Sequence, residues 1–435
     1  MPWNKKNLII AFLTVLFFSA CVSKKLETTK SNDKVFEKVE TKQFELEDFY
    51  IMYALEMENE RLYYEARDVY FKLFEHTNKY EYLVSSVSLA TQLKDYVFVE
   101  AAIAKYLKSN IKEEEILLRL YSFAQLKLDK LDEAAKNAEK LVSLYPNELN
   151  YDVLGTVYIT QKQYLKAHDA FYKAFVISPN TNTLRTIANL EFFQLNIQKE
   201  AVSKLEDSIK KYDYDFNLSI QLVAFYEILK DNEKIENLLK EMFFYYKNND
   251  SQLQLNNTKT LFWKYVKKEK IIAFWESNKE KDDILVAAYR ATNQPEKAMN
   301  VLKELYEKSQ NKEILAELAI VEFDMATNKK EVLNSVVEKL NTVLQTSSNH
   351  IYQNFLAYLL IDYELDINKG VALVKKALVQ DPENIAYLDT LAWGEYKLKN
   401  CKTAYEVMKK VVDQVGLEDE EIRIHWEKIK ECKWY

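Results

Sequence analysis

Glycine and proline are nearly missing from this chain: four and five residues among 435. So few glycines argue against sheets joined by tight turns and against glycine-rich loops that cradle phosphates. Histidine is equally scarce. His76, His168, His350 and His425 are scattered, and no two share the spacing of a helical metal site, so packing or surface roles are expected and no metal. Neither sign of charge dominates. Sixty Lys and Arg stand against 67 Asp and Glu, a net charge of −7. That balance gives no basic surface for phosphates, and nucleic acid is not an expected partner. No Cys–His pair or glycine-flanked serine suggests a nucleophile. The abundant carboxylates read as the wet faces of helices. No enzymatic constellation and no cofactor is expected.

What remains is rich in tyrosine (30 residues), lysine, glutamate and leucine, with 48% hydrophobic residues. This composition suits an all-helical protein with a large core. The clearest stretch runs from Glu148 to Asn180. Tyr151, Leu154, Gly155 and Tyr158 fall on one face at helical spacing. After a polar turn at residues 161–163, Ala167, Phe171, Ala174 and Phe175 share a second face, and Pro179 follows. Small residues at Gly155, Ala167 and Ala174 let the two helices approach, and Tyr158 and Phe171 fill the seam. Such a pair cannot bury both of its faces alone, so it requires neighbours of its own kind.

This stretch resembles the tetratricopeptide repeat, a helix–turn–helix unit of about 34 residues. The resemblance rests on Tyr151, Leu154, Gly155, Tyr158, Ala167, Phe171, Ala174 and Pro179, all at the family's spacing, with Tyr151 where the family usually has Trp. The period recurs. Ala167, Ala201 and Ile235 step by 34, as do Phe171, Leu205 and Leu239, and Gly370 and Ala404. The expected fold is all-α: a superhelical solenoid of about eleven helix–turn–helix repeats closed by a C-terminal capping helix from about Glu418. Residues 46–249 and 281–435 read as two solenoid stretches. Residues 250–280 read as a degenerate repeat or a junction, where Trp263, Tyr265, Phe274 and Trp275 replace the small residues.

The amino terminus carries a separate message. Lys5 and Lys6 precede an apolar run from Leu8 to Phe18, too short to span a bilayer comfortably, and then Ser19, Ala20 and Cys21. Residues 1–20 resemble a bacterial lipoprotein signal peptide, with Phe18 where the usual lipobox has Leu. The resemblance implies cleavage before Cys21 and lipid on its thiol; the alternative is an ordinary secretory signal with an incidental cysteine. Val22 follows, not the Asp of inner-membrane retention. The resemblance therefore implies an envelope location, at the outer membrane facing the periplasm. Residues 21–45 are polar and of mixed charge and read as a flexible tether.

Two further cysteines remain. Cys401 lies in a turn, and the helix after it and the one returning from about Glu418 have similar lengths. An antiparallel return would bring Cys432 beside Cys401. A disulfide there would close a loop of about 30 residues, worth about 3 kcal/mol. The alternative is two free, half-buried thiols.

The repeat family binds proteins or peptides along a concave groove lined by the first helix of each unit. Register places Asp152, Thr156, Thr186, Leu190 and Phe193 there, and near the carboxyl end Asn354, Tyr358, Asp389, Trp393 and Tyr396. Trp393 reads either as an anchor for a partner side chain or as packing against Tyr358. The expected function is a non-catalytic protein-interaction scaffold in envelope or surface-apparatus assembly. A peptidoglycan- or glycan-binding role, with tyrosines stacking on sugars, is the alternative.

Overall fold

The computed structural model describes residues 43–109 and 114–432. The expected leader at residues 1–20, the lipid site Cys21 and the tether as far as residue 42 lie outside the described residues. Within them the chain is all α, with eleven consecutive helix pairs and one final helix. The first five pairs are α1 Glu47–Asn59 and α2 Tyr63–Thr77, α3 Tyr80–Gln92 and α4 Tyr96–Ser109, α5 Glu115–Lys127 and α6 Leu131–Leu144, α7 Glu148–Thr160 and α8 Tyr164–Ile177, and α9 Thr181–Phe193 and α10 Gln198–Ile209. The next three are α11 Phe216–Leu229 and α12 Asn232–Asn248, α13 Gln252–Tyr265 and α14 Lys268–Ser277, and α15 Asp283–Ala291 and α16 Pro295–Ser309. The last three are α17 Lys312–Met325 and α18 Lys329–Leu344, α19 His350–Asp362 and α20 Ile367–Gln380, and α21 Ile385–Lys397 and α22 Cys401–Val415; α23, Glu420–Glu431, stands alone. The described residues divide into two compact units, the first ending at Lys204 and the second beginning at Leu205. Residues 252–277 form the helices α13 and α14 inside the second.

Local chemistry explains where each helix starts and stops. Of the eight first helices from α7 on, seven begin after an Asn or Asp whose side chain accepts from an amide of the first turn: Asn147, Asn180, Asp215, Asp282, Asn311, Asn349 and Asn384. Each such cap is worth about 1 kcal/mol. The turn inside a pair is closed by a residue in the left-handed region. Lys94, Asp129, Lys162, Asn196, Lys230, Asn293 and Lys399 hold φ between 55° and 68°. In the clearest repeat, Gln163 N–H donates to Tyr158 C=O at 2.8 Å and Lys162 N–H to Ile159 C=O at 2.9 Å, with Lys162 between them in that conformation. Glycine would fill these positions without steric cost. Its scarcity leaves L residues there at about 1 kcal/mol each.

In the first unit, α7 and α8 close on Ala167, Ala170, Phe171 and Ala174, all buried. A Cβ added at Gly155 would stand 2.6 Å from the Phe171 ring. Gly155→Ala should therefore destabilise this unit by about 1–3 kcal/mol, although alanine is the better helix former by about 1 kcal/mol. Urea melts followed by circular dichroism would check the sign; a more stable variant would mean the ring moves aside freely.

Hydrogen bonds tie successive pairs together. Tyr158 Oη donates to Glu139 across the step from α6 to α7, at 2.6 Å. Tyr226 to Glu206 and Tyr289 to Glu276 repeat this bond in the second unit, each at 2.6 Å. Burial first, and the carboxylate second, push these phenols up and keep them protonated. A buried network joins α5 to α7: Asn150 accepts from Arg119 at 2.9 Å and donates to Glu115 at 3.0 Å.

The second unit ends in α23. Ile429 is buried with Leu388, Ala392, Met408 and Val411. Cys401 at the start of α22 and Cys432 just past α23 are disulfide-bonded, their Cα atoms 5.5 Å apart. The acidic first turn of α23, with Asp419 accepting from the amides of Glu421 and Ile422, caps the positive helix end.

Candidate functional site

In the first unit, the groove positions on α7 and α9 differ sharply in availability. Thr156 is 6% exposed. Its hydroxyl donates to the Asp152 carbonyl one turn back, at 2.8 Å. This corrects the groove assignment of Thr156, because its one donor is spent on its own helix. Asp152 is different. Its Oδ1 is enclosed and meets no donor among the described residues. Burial first, and Glu148 one turn away second, push its carboxyl from 3.8 to about 7. Glu148 is itself engaged, accepting from the Asn180 side chain at 2.9 Å. Phe193, at the last turn of α9, is 46% exposed and meets Phe192 edge-on at 4.9 Å. The geometry thus places a carboxyl oxygen without a donor among the described residues on one first helix and a nearly half-exposed ring on the next.

A cavity of about 420 Å³ lies in the same unit, away from every one of these positions. Tyr151, Leu154 and Tyr158 line it with Lys166 and Lys173, and Asp169 pairs with Lys173 at 2.8 Å.

In the second unit, Asn354, Tyr358, Asp389, Trp393 and Tyr396 come from α19 and α21. Trp393 is only 5% exposed. Its indole lies flat on the His425 ring of α23 at 4.1 Å and 16°, and on Tyr396 at 5.0 Å. Its Nε1 donates to Asp362 at 3.2 Å. The exposed-anchor reading of Trp393 is thereby corrected: it is a packing residue, covered by the His425 ring of α23. Asp389 is taken as well. His425 Nδ1 lies 2.9 and 3.1 Å from its two oxygens, and since a carboxylate only accepts, Nδ1 carries the proton. Tyr358 is half-buried, its phenol pushed up by burial and then by Glu421, Asp362 and Asp389. Asn354 keeps an enclosed Oδ1 without a donor among the described residues.

Sequence reasoning missed Asp362, Glu421 and His425. A signal was present: if α23 is read as one more first helix, His425 falls 32 residues after Trp393, and Glu421 32 after Asp389. The remaining histidines have packing partners. His76 stacks on Phe44 at 4.6 Å, His168 meets the buried Glu191 at 2.8 Å, and His350 meets Tyr387 Oη at 2.8 Å. Among the described residues, no group of three His, Cys, Asp or Glu is placed to hold a metal ion. No described helix is long and apolar enough to cross a membrane.

Helix pairs of this length, closed on small residues against an aromatic ring with a step of 34 in the clearest repeats, are similar to tetratricopeptide repeats. Comparison with known proteins gives the following. A family model described as the CadC C-terminal domain matches residues 79–207. Human tetratricopeptide repeat protein 13 is 26% identical over 84 residues, which spans 19% of this chain and 10% of the human protein. Among solved structures, the chain is similar to a tetratricopeptide repeat protein from Parabacteroides merdae ATCC 43184, at 14% identity and TM-score 0.39, covering 63% of this chain and 98% of that one. It is also similar to MamA, from residue 41 to its end, of Desulfovibrio magneticus RS-1, at 18% identity and TM-score 0.36, covering 40% of this chain and 98% of that one.

Proposed function

We propose that this chain is a non-catalytic scaffold that holds protein or peptide partners against the first helices of its repeats. Lipid on Cys21 tethers it to the bacterial outer membrane on the periplasmic side, in service of envelope or surface-apparatus assembly. The observation that carries the reading is in the first unit: on successive first helices, α7 holds Asp152 with an Oδ1 that meets no donor among the described residues, and α9 holds the nearly half-exposed Phe193 ring. A carboxyl and an apolar ring on successive first helices suit a peptide that carries a cationic and an apolar residue. Glycan binding is less well supported, because several tyrosines already spend their hydroxyls on glutamates.

Crosslinking in cells followed by mass spectrometry tests the scaffold. Partner peptides crosslinked to α7 and α9 are expected. Phe193→Ala should reduce their yield several-fold while destabilising the fold by no more than about 1 kcal/mol, since the ring is nearly half-exposed. Retention on purified sacculi without any protein partner would replace this reading with the glycan one. A Cys21→Ala chain still found in the membrane fraction would remove the lipid anchor.

A further inference from the structure

We propose that the concave face of α19 and α21 is a docking surface for an amphipathic helix that offers a ring donor to Asp389 and Trp393, and that α23 is its resident occupant, latched by the Cys401–Cys432 disulfide. This rests on the reading of the first helices as the partner-binding face.

Three observations carry it. First, α23 sits on the surface as a helical ligand would. His425 donates to both oxygens of Asp389 and stacks on Trp393, and the Lys428 ammonium stands 5.3 Å from the same indole. A ring donor and a cation at i and i+3, facing a carboxylate and an indole, is side-chain recognition of the helix-in-groove kind.

Second, the fit has one flaw. Glu421, one turn before His425, lies in the negative field of Asp389 and Asp362. Burial pushes its carboxyl up, His425 partly offsets this, and the two aspartates raise it further. Tyr358 faces the same group from α19, and Asp419 from its own helix start. Where His425 meets Asp389 and the Lys428 ammonium stands over Trp393, positive groups on α23 meet this face; at residue 421 a negative one does. An occupant with lysine or arginine there would fit better, so the favoured partner is a basic amphipathic helix.

Third, α23 carries a covalent latch: Cys432, just past its end, is bonded to Cys401 at the start of α22. Reduction removes that latch. A dithiol gives two electrons and two protons to the bond: Cys432 and Cys401 become thiols, and the reductant becomes a disulfide. Without the latch, packing and the link through residues 416–419 hold the helix, and an outside helix can compete for its site.

The test uses the full chain, oxidised or treated with dithiothreitol. The probe is a fluorescein-labelled synthetic peptide of residues 418–435. Amide exchange over Glu420–Glu431 should speed up at least tenfold on reduction. The labelled peptide should bind the reduced chain at least tenfold more tightly than the oxidised one, and a Glu421→Lys peptide several-fold more tightly still. Asp389→Asn in the chain should cost the peptide at least tenfold while helical content is unchanged. Cys432→Ser, without reductant, should behave like the reduced chain. Exchange that ignores the redox state overturns the latch. Faster exchange without peptide binding, or binding indifferent to Asp389 and to residue 421, overturns the docking surface. Either failure leaves partner crosslinks at α7 and α9 standing, whereas loss of all crosslinks overturns the scaffold reading instead.

Discussion

Trp275→Ala is expected to lower the stability of the second unit by about 3–5 kcal/mol, the cost of emptying a fully buried indole site. The side chain is 0% exposed. It sits among Phe243 at 5.3 Å, Phe262 at 5.0 Å and Phe274 at 5.4 Å, all at tilted or edge-on angles that aromatic rings favour. These rings come from α12, α13 and α14, so the loss spreads over two consecutive pairs. Each repeat leans chiefly on its neighbours, and the defect should appear as faster amide exchange in those helices rather than as uniform loosening. A control separates volume from polarity. The indole N–H finds no acceptor among the described residues. Trp275→Phe removes that orphan donor, which by itself costs about 1–3 kcal/mol when buried. The phenylalanine variant should therefore lose well under half of what alanine loses. Equal losses in both variants would mean that the N–H has a partner after all.

The second large effect is a pH dependence centred on Asp152. Its folded carboxyl is raised from 3.8 to about 7, by burial and then by Glu148. A raised value means that the folded state holds its proton more tightly than the unfolded chain does. The group's contribution is fully present below about pH 4 and is lost as the pH rises to 7 and just beyond. One pKa unit corresponds to about 1.4 kcal/mol, so the first unit should weaken by about 2–4 kcal/mol over that window. Asp152→Asn should flatten this slope and be the more stable protein at pH 8. Urea titrations at pH 4, 6 and 8 would measure it, and a parallel slope in the amide variant would assign the effect elsewhere. The same carboxyl is expected to lose its proton when a partner's ammonium or guanidinium approaches. Peptide binding near pH 7 should then release protons in the parent chain and not in Asp152→Asn.

The fold was largely legible in the residues. Gly155 marks where a ring must come within contact of a helix backbone, and Phe171 supplies the ring sixteen positions later. Asn147, Asn180 and Asn384 announce helix starts by their chemistry alone. The concentration of Trp263, Tyr265, Phe274 and Trp275 announced a wide gap to be filled; in the structure Phe274 and Trp275 fill it together with Phe262, which that reading did not name. The binding face was legible only as a set of positions. Register names Asp152, Thr156, Asp389 and Trp393 without saying which of them are spent. The Thr156 hydroxyl turned back to its own helix, a choice any threonine in a helix has and which spacing does not decide. His425 gave no groove signal on its own, because its partner Asp389 lies 36 residues earlier.

The sequence by itself determined that the chain would be paired helices on a 34-residue step. That information is local: apolar residues recur at helical spacing, small residues sit opposite large ones, and Asn and Asp stand at the starts. Only the tertiary structure decided which side chains remain open to a partner. Trp393 is covered and Phe193 is not, although both hold groove positions. The reason is that exposure depends on what the next helix lays over a residue, and over Trp393 that is the His425 ring, carried back from 32 residues away by the return of α23.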